Sequence, residues 1–266
     1  MSAALDHLVI NARFDLDAAA GIFAGLGFTL TPRGHHSLGS INNLIMFDEG
    51  YLELIGLPVG GERLRQEILD SPLGIDGLVL ASDDPRGTHA ALVQAGFLVQ
   101  PVQHFSRPVE IDGASQEARF GTVRLVPGQF AAGRVYFCHH QTPELVWRPE
   151  WLGHANGIQR IERLTVISEH PEQTRQAFER LGRFDGRFDG RFSVEVIDDA
   201  AWRARAVLPD EAGQERPERF VSIGLRGGDP ADLARRAASL GLPHWQEDDR
   251  VAIAIPAFAT VLECLA

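Results

Sequence analysis

The sequence predicts an α+β protein in which tandem β-α-β-β-β modules pair to form two domains, each a half-open curved sheet. Three observations predict this fold. A strand-like run followed by a helical run that ends at glycine occurs four times, the spacing within this pair is nearly constant, and shorter strand-like runs follow each pair. The 266 residues, 44% hydrophobic and 23% charged, are ordinary for a globular protein and suffice for one large core or two smaller ones.

The first unit opens with LDHLVI, residues 5–10, which is typical of a β-strand. The run DLDAAAGIFAGLGF follows, with apolar side chains at helical spacing from Leu16 to Leu26. Gly27 comes next, where a helix of this length is expected to end on a glycine. The unit therefore begins with a strand and a helix.

The same pair recurs three times. Residues 74–82, 161–168 and 220–227 are typical of strands, and each precedes a helical run that ends at Gly96, Gly182 or Gly241. From the third residue of the first strand, or its equivalent, to the helix-ending glycine the distances are 20, 19, 19 and 19 residues. Three of the four helical runs have a proline near the first turn, where its missing N–H costs nothing.

Further strand-like runs complete each unit, among them FTLTP at residues 28–32 and ARAVLP at residues 204–209. One unit alone would leave a free sheet edge and an exposed apolar face, so the units should pair. We predict a first domain at residues 1–150 and a second at residues 151–266. The joint is expected within residues 148–157, which contain Pro, Gly, His and Asn.

The duplicated run RFDGRFDGRF, residues 183–192, is interpreted as a surface loop. Asp-Gly followed by Arg-Phe suits a turn. Asp185 and Asp189 supply too few carboxylates for a Ca²⁺ site.

Charge and cysteine usage exclude some partners. The net charge of −11 argues against a nucleic-acid partner and, more weakly, against anionic membranes. No apolar run approaches 18 residues, and no signal-peptide pattern is evident, so no membrane span is expected. Cys138 and Cys264 form no disulfide framework and suit buried thiols in a reducing cytosol, which predicts a cytoplasmic protein.

Three ordered motifs resemble one family. They are LDHLVI, LGFTLTPRGHHSLGSINNLIMFDEGYLELIGL and VYFCHHQTPELVW. Together with the tandem modules, they resemble the glyoxalase-like group of the vicinal oxygen chelate superfamily, which includes glyoxalase I, extradiol dioxygenases, epimerases and antibiotic-resistance proteins. The resemblance to this group covers about residues 4–157, and the remaining modules match in topology only. Ser40 stands where threonine is usual and keeps the hydroxyl.

The resemblance implies a divalent metal bound on the inward faces of the first and last strands of each module. The first unit offers His7 and Glu53, whereas the equivalent of His7 in the second unit is Gly77, which cannot ligate. The last strand of that unit offers His139 or His140, of which only one faces inward, and the family pattern favours His140.

The implied metal site is therefore His7, Glu53 and His140, a set that suits Zn²⁺, Fe²⁺, Mn²⁺ or Ni²⁺. The alternative is that the histidines only form hydrogen bonds and that Glu53 points outward. In the loop before the third strand, His36 and Asn42 would bind the substrate or, alternatively, stabilise the loop.

The second domain offers fewer ligands. Only Glu263 falls at a superfamily ligand position, so we expect this domain to be structural, to close the pocket or to form an interface. No glutathione-binding pattern is visible. No G-x-G-x-x-G follows a strand and no P-loop is present, which argues against a nucleotide cofactor.

The function predicted from these residues is that of a glyoxalase-like enzyme. It would act on a small oxygenated carbonyl or hydroxy metabolite in the first domain, with isomerase, lyase and dioxygenase chemistry left open. The alternative is a small-molecule binding or sequestering protein without turnover. A third interpretation is a scaffold whose role is to form a homodimer.

Overall fold

A computed structural model describes residues 4–61, 64–111, 113–182, 192–205 and 216–266. Within these ranges the predicted α+β fold with two curved sheets is confirmed. All but the last residue of the run predicted as a surface loop, residues 183–192, lies outside the described residues.

The first sheet has eight strands in the order β2-β3-β4-β1-β5-β8-β7-β6. Their bounds are β1 (Leu5–Arg13), β2 (Gly34–His35), β3 (Ile41–Met46), β4 (Tyr51–Gly56), β5 (Gly74–Ala81), β6 (Gln103–Ile111), β7 (Ala114–Arg124) and β8 (Arg134–His140). The two central strands, β1 and β5, are antiparallel, and each has the last strand of its own unit beside it in parallel. Two predicted units thus share one sheet.

The second sheet repeats this arrangement with six strands in the order β10-β9-β11-β14-β13-β12. Their bounds are β9 (Ile158–Ser168), β10 (Ser193–Ile197), β11 (Glu218–Gly227), β12 (His244–Glu247), β13 (Arg250–Ile255) and β14 (Thr260–Leu265). Strands β9 and β11 are antiparallel at the centre, with β10 and β14 parallel to them on either side.

Of the seven α-helices in the described ranges, four are those that the repeat predicts, namely α1, α3, α5 and α7. All seven are α1 (Leu16–Gly25), α2 (Gln66–Asp70), α3 (Pro85–Gln94), α4 (Pro149–Leu152), α5 (Pro171–Glu179), α6 (Asp199–Arg205) and α7 (Pro230–Ser239). Gly27, Gly96 and Gly241 follow their helices with φ of 89°, 84° and 68°, the left-handed backbone that a glycine C-cap supplies.

One short strand prediction is wrong, and a second, at residues 204–209, lies mostly outside the described residues. Residues 28–32 form no strand. The Thr31 backbone N–H donates a hydrogen bond to the Leu44 carbonyl, but the Thr31 carbonyl accepts one from the Asn43 side chain instead of from the backbone of a neighbouring strand. Ala204 and Arg205 end helix α6 rather than begin a strand. The helix buries Trp202, and this tertiary contact outweighs the local strand pattern.

Alternate residues along the strands of the first sheet belong to two different apolar clusters. Leu8 and Ile10 of β1 belong to a cluster that includes the helices and residues of both sheets, whereas Val9 belongs to a second cluster on the opposite, concave face. The first sheet ends at His140 and the second begins at Ile158, and the predicted domain boundary lies between them. That boundary stays a prediction. No helix among the described residues is long and apolar enough to cross a membrane.

Candidate metal and substrate site

The concave face of the first sheet holds a cavity of about 30 Å³, which is room for about two water molecules. Aromatic and aliphatic side chains form part of its wall, and the polar groups come from several strands and loops. The polar lining relevant to chemistry is His7, His36, Asn42, Glu53, Arg107 and Tyr136. These residues are far apart in the sequence and meet only because the strands adjoin.

Strand register places His7 and Glu53 on the same side of the sheet. In the parallel pair of β1 and β4, His7 is opposite Tyr51 and Val9 is opposite Glu53. Residues opposite each other share a face, and residues two apart on a strand share a face as well. The His7 Nε2 and Glu53 Oε2 atoms are 3.7 Å apart, and both side chains are buried. The alternative in which Glu53 points outward is wrong.

Asp6 lies beside His7, although neighbours on a regular strand point to opposite faces. Between Leu5 and His7 the pairing with β5 shifts register, and such a bulge re-aims a side chain. Asp6 Oδ1 lies 2.5 Å from His7 Nδ1 and 3.1 Å from His140 Nε2. Asp6 was not among the predicted site residues, and on a regular strand it would face away from His7.

The charge of Asp6 sets the tautomer of His7. Burial alone would raise the pKa of Asp6, but the neighbouring His140 and His7 hold it well below its usual value. An ionised Asp6 accepts the Nδ1 hydrogen of His7, so the Nε2 lone pair is directed to the cavity. A carboxylate behind a histidine in this way is the usual support of a metal-binding imidazole.

The separation of His7 and Glu53 fits one divalent cation. Nitrogen and oxygen ligands lie about 2.0 to 2.2 Å from Zn²⁺, so two of them can be separated by up to about 4 Å. The 3.7 Å between Nε2 and Oε2 is within that limit. These two residues, oriented by Asp6, therefore fit the metal that the family resemblance implies.

Glu53 is held by His36 and Asn42, the two residues predicted to lie in the loop before the third strand; His36 does lie in that loop, whereas Asn42 belongs to β3. Asn42 Nδ2 donates to Glu53 Oε1 at 2.7 Å, and His36 Nε2 lies 3.9 Å from the same oxygen. Burial favours the neutral acid, but His36, His7 and Asn42 lower the pKa of Glu53 below its usual value. Burial in turn lowers the pKa of His36 to about 4. Substrate binding by His36 and Asn42 stays a prediction.

His140 faces the concave side, as its alternation with His139 predicts, while His139 Nδ1 contacts the Ser82 carbonyl on the other face. However, His140 Nε2 lies 3.1 Å from Asp6 Oδ1. The His140 ring packs against Trp147 and Phe120. Among the described residues, the set of three potential ligand atoms within 4.8 Å of one another is Asp6, Cys138 and His140. The structure thus brings His7 to Glu53 and His140 to Asp6, and ligation by His140 stays a prediction.

In the second unit, the register equivalents of His7 and Glu53 carry other groups, Gly77 and Tyr136. Tyr136 of β8 is opposite Val79 of β5, just as Glu53 of β4 is opposite Val9 of β1. The Tyr136 hydroxyl lies 3.5 Å from His7 Nε2. A Cβ at Gly77 would lie 2.8 Å from Val9 Cγ2, so the position has no room for a ligand side chain.

We expect Asp6→Asn to weaken divalent cation affinity by about 10- to 100-fold, because the change removes the charge that orients the His7 imidazole. Titration of the apoprotein with Mn²⁺ or Zn²⁺ measures this effect. Asp17→Asn is the matched control, since Asp17 is an exposed carboxylate on α1 that pairs with Arg33. Equal cation affinity in the two variants would contradict the role of Asp6.

At the cavity wall, three arginines form a cluster around Glu67. Arg65 and Arg124 each place a guanidinium nitrogen 2.6 Å from Glu67 Oε2, and Arg134 lies 3.6 Å from Oε1 and pairs with the buried Asp76. Burial would raise the pKa of Glu67, but the arginines lower it to about 2. The cluster therefore depends on a charged Glu67.

The contribution of Glu67 to stability should disappear in acid. A group whose pKa is lowered in the folded state stabilises the fold at any pH above its ordinary pKa, which is 4.5 for Glu67. This stabilisation is lost as the pH falls to the folded-state pKa of about 2. We expect the free energy of unfolding of wild type to exceed that of Glu67→Gln at neutral pH, with the difference shrinking between about pH 5 and pH 2. Denaturant unfolding over this range measures the difference, and a gap independent of pH would contradict the prediction.

The second sheet has carboxylates at both positions equivalent to Glu53. Glu195 is opposite Thr165 on β10, and Glu263 is opposite Gly224 on β14. The sequence analysis recognised Glu263 and missed Glu195. Arg163 and Arg205 pair with both carboxylates, and Ser222 donates to Glu263. In the second sheet, Arg163 and Arg205 thus pair with the two carboxylates, and all four side chains line a pocket.

Comparison with known proteins agrees with this architecture. A family model described as a glyoxalase-like domain matches residues 5–182. The match runs past the predicted domain boundary at residue 150. No curated protein matches the chain by sequence.

Solved structures share the fold at low identity. A hypothetical protein from Staphylococcus aureus is 14% identical, with a TM-score of 0.66 and coverage of 98% of both chains. A mutant of 4-hydroxymandelate synthase from Streptomyces coelicolor is 12% identical, with a TM-score of 0.59 and coverage of 99% of this chain and 92% of that one. A xylose isomerase-like TIM barrel/4-hydroxyphenylpyruvate dioxygenase fusion protein is 12% identical, with a TM-score of 0.57 and coverage of 98% and 48%. At these identities the likeness concerns the fold alone.

Proposed function

The chain belongs to the glyoxalase-like domain family, and from this premise we propose that it is a metal-dependent enzyme that acts on a small oxygenated metabolite in the cavity of the first sheet. The substrate class is a carbonyl or hydroxy compound. Isomerase, lyase and dioxygenase reactions all fit such a centre.

One observation carries the proposal. His7 and Glu53, 46 positions apart in sequence, present a lone pair and a carboxylate oxygen 3.7 Å apart in a buried cavity, and Asp6 orients the histidine. Two ligands oriented by surrounding hydrogen bonds, with space beside them, suit a cation that keeps positions for water and substrate. His140 is the third proposed ligand; its Nε2 contacts Asp6, whereas its Nδ1 is buried without a hydrogen-bond partner among the described residues.

The side chains around the two ligands have separate roles. A bound divalent cation would polarise a substrate oxygen or lower the pKa of a bound water. Asn42 and His36 hold the Glu53 carboxylate and present hydrogen-bonding groups to the substrate. The Tyr136 hydroxyl stays protonated, since burial raises its pKa well above the usual value, and can donate a hydrogen bond. Phe105 and Phe120 stack on each other in the cavity wall and exclude water.

A second candidate function is binding without turnover. Gly77 and Tyr136 stand at the register equivalents of His7 and Glu53, and His140 Nε2 is engaged by Asp6. A centre with only two protein ligands in place favours a small-molecule binding protein that holds its ligand without a catalytic metal.

Metal content of protein purified without a histidine tag tests the proposal. We expect about one transition-metal ion per chain in wild type and its loss in His7→Gln. His139→Gln is the matched control, because His139 lies on the same sheet but faces away from the cavity. Metal retained in His7→Gln at the level of wild type would refute the site. A metal-free wild type that a small ligand still stabilises would favour binding without turnover.

A further inference from the structure

Arg107 enters the cavity wall from β6 without a partner for one of its nitrogens. The residue is 4% exposed, and its Nη2 is buried without a hydrogen-bond acceptor among the described residues. Burial of a charged group without a hydrogen bond costs several kcal/mol, so proteins seldom retain one without a use. Arg107 lines the same cavity as His7 and Glu53.

The position of Arg107 on its strand is one that an apolar residue would normally occupy. Phe105, Val109 and Ile111, spaced by two residues, share its face and belong to or pack on the apolar cluster of the concave side. A charged side chain in the middle of this series contradicts the pattern of the strand.

The other cavity arginines already have an acidic hydrogen-bond partner. Arg65 and Arg124 both donate to Glu67, whereas no acidic side chain accepts a hydrogen bond from Arg107 within the part of the chain that the structure describes. Glu53 attracts the guanidinium but keeps its hydrogen bond to Asn42. The site therefore retains one guanidinium that can bind an anion, with geometry suited to a planar carboxylate.

A free acceptor lies near the Arg107 side chain, on the other side of Gly34. Asn42 Oδ1 is buried without a hydrogen-bond partner among the described residues, because its Nδ2 makes the contacts to Glu53 and His36. A Cβ on Gly34 would lie 2.2 Å from Asn42 Oδ1 and 3.2 Å from Arg107 Nη1. The bare backbone of Gly34 therefore leaves room for both groups at one end of the cavity.

We propose that the cavity binds a small hydroxycarboxylate, with the carboxylate on Arg107 and the hydroxyl donating to Asn42 Oδ1. The inference rests on the proposed function, since it names the substrate class of the same cavity. A ligand ammonium group would also donate to Asn42, but Arg107 repels it. The cavity is small, so glycolate, the smallest hydroxycarboxylate, is the appropriate probe.

Calorimetric titration with glycolate tests the proposal, with glycolamide and acetate as comparison ligands. Glycolamide keeps the hydroxyl and lacks the charge, and acetate keeps the charge and lacks the hydroxyl. We expect wild type to bind glycolate more tightly than either. Arg107→Met should weaken glycolate binding by about 10- to 100-fold and leave glycolamide binding nearly unchanged. Arg107→Lys should give an intermediate affinity, because it keeps the charge and loses the planar fork.

Thermal unfolding of ligand-free Arg107→Met separates binding from a structural role. We expect its Tm to equal or exceed that of wild type, because the substitution removes a buried charge without a partner. A lower Tm, failure to fold, or glycolate affinity equal to that of wild type would overturn the proposal.

The outcomes for the two proposals are distinguishable. Arg107-dependent glycolate binding in protein that never acquires a metal would refute the metal centre and retain the ligand class. A metal bound through His7 with no preference for glycolate over glycolamide would retain the metal centre and refute the ligand class.

Discussion

Replacement of Glu53 by glutamine is expected to weaken divalent cation binding by at least about 100-fold, more than loss of a residue that only orients a ligand. Glutamine keeps the shape of the side chain and can still accept the hydrogen bond from Asn42, so the change removes mainly the anionic ligand. Titration of wild-type and variant apoprotein with Mn²⁺ and Zn²⁺ measures the loss.

Glu117→Gln is the matched control for this substitution. Glu117 lies on β7 of the same sheet and is exposed, so it changes the net charge equally without contact to the cavity. We expect its cation affinity to equal that of wild type. If the Glu53 and Glu117 variants bound cations equally well, the cation would have to bind elsewhere.

Gly74→Ala is expected to destabilise the protein by about 3 to 5 kcal/mol, the largest stability effect foreseen here. Gly74 begins β5 with φ of 94°, which is unfavourable for any residue with a Cβ. A Cβ there would lie 2.5 Å from the Phe258 carbonyl oxygen and 2.9 Å from Ala259. Because Phe258 belongs to the second half of the chain, the clash would separate the two halves. Denaturant unfolding measures the loss.

Gly60→Ala distinguishes this clash from backbone strain. Gly60 has φ of 73°, but nothing lies within 4 Å of the Cβ that alanine would add. We expect a cost of only about 1 to 2 kcal/mol, from the left-handed backbone alone. Equal costs at the two positions would show that the contact between Gly74 and Phe258 contributes little.

Local pattern predicts much of the candidate site. The ordered motifs place His7 on the first strand and Glu53 on the fourth, and period-two alternation distinguishes His140 from His139. The repeat spacing also predicts helices α1, α3, α5 and α7. Those inferences depend only on local periodicity and on the glycine that ends each helix.

The remaining features depend on contacts that local pattern does not contain. Asp6 joins His7 only because a bulge shifts the register of β1 against β5. His140 is held by Asp6, 134 positions away in sequence. Glu195 is at a ligand position only because β10 pairs directly with β9.

Arg107 was also absent from the predicted site residues, but for a different reason. It interrupts the alternating apolar series of Phe105, Val109 and Ile111, and this signal was present in the sequence. The strand that contains it was missed because Pro108 and the polar residues around it resemble a loop.

A crystal structure of protein soaked in Mn²⁺, with anomalous diffraction data, tests most directly whether the cavity of the first sheet holds a metal. We expect one anomalous peak about 2.0 to 2.3 Å from both His7 Nε2 and the Glu53 carboxylate, with Asp6 still bonded to His7 Nδ1. A peak among Asp6, Cys138 and His140 instead, or no peak in the cavity at saturating Mn²⁺, would contradict the proposed centre.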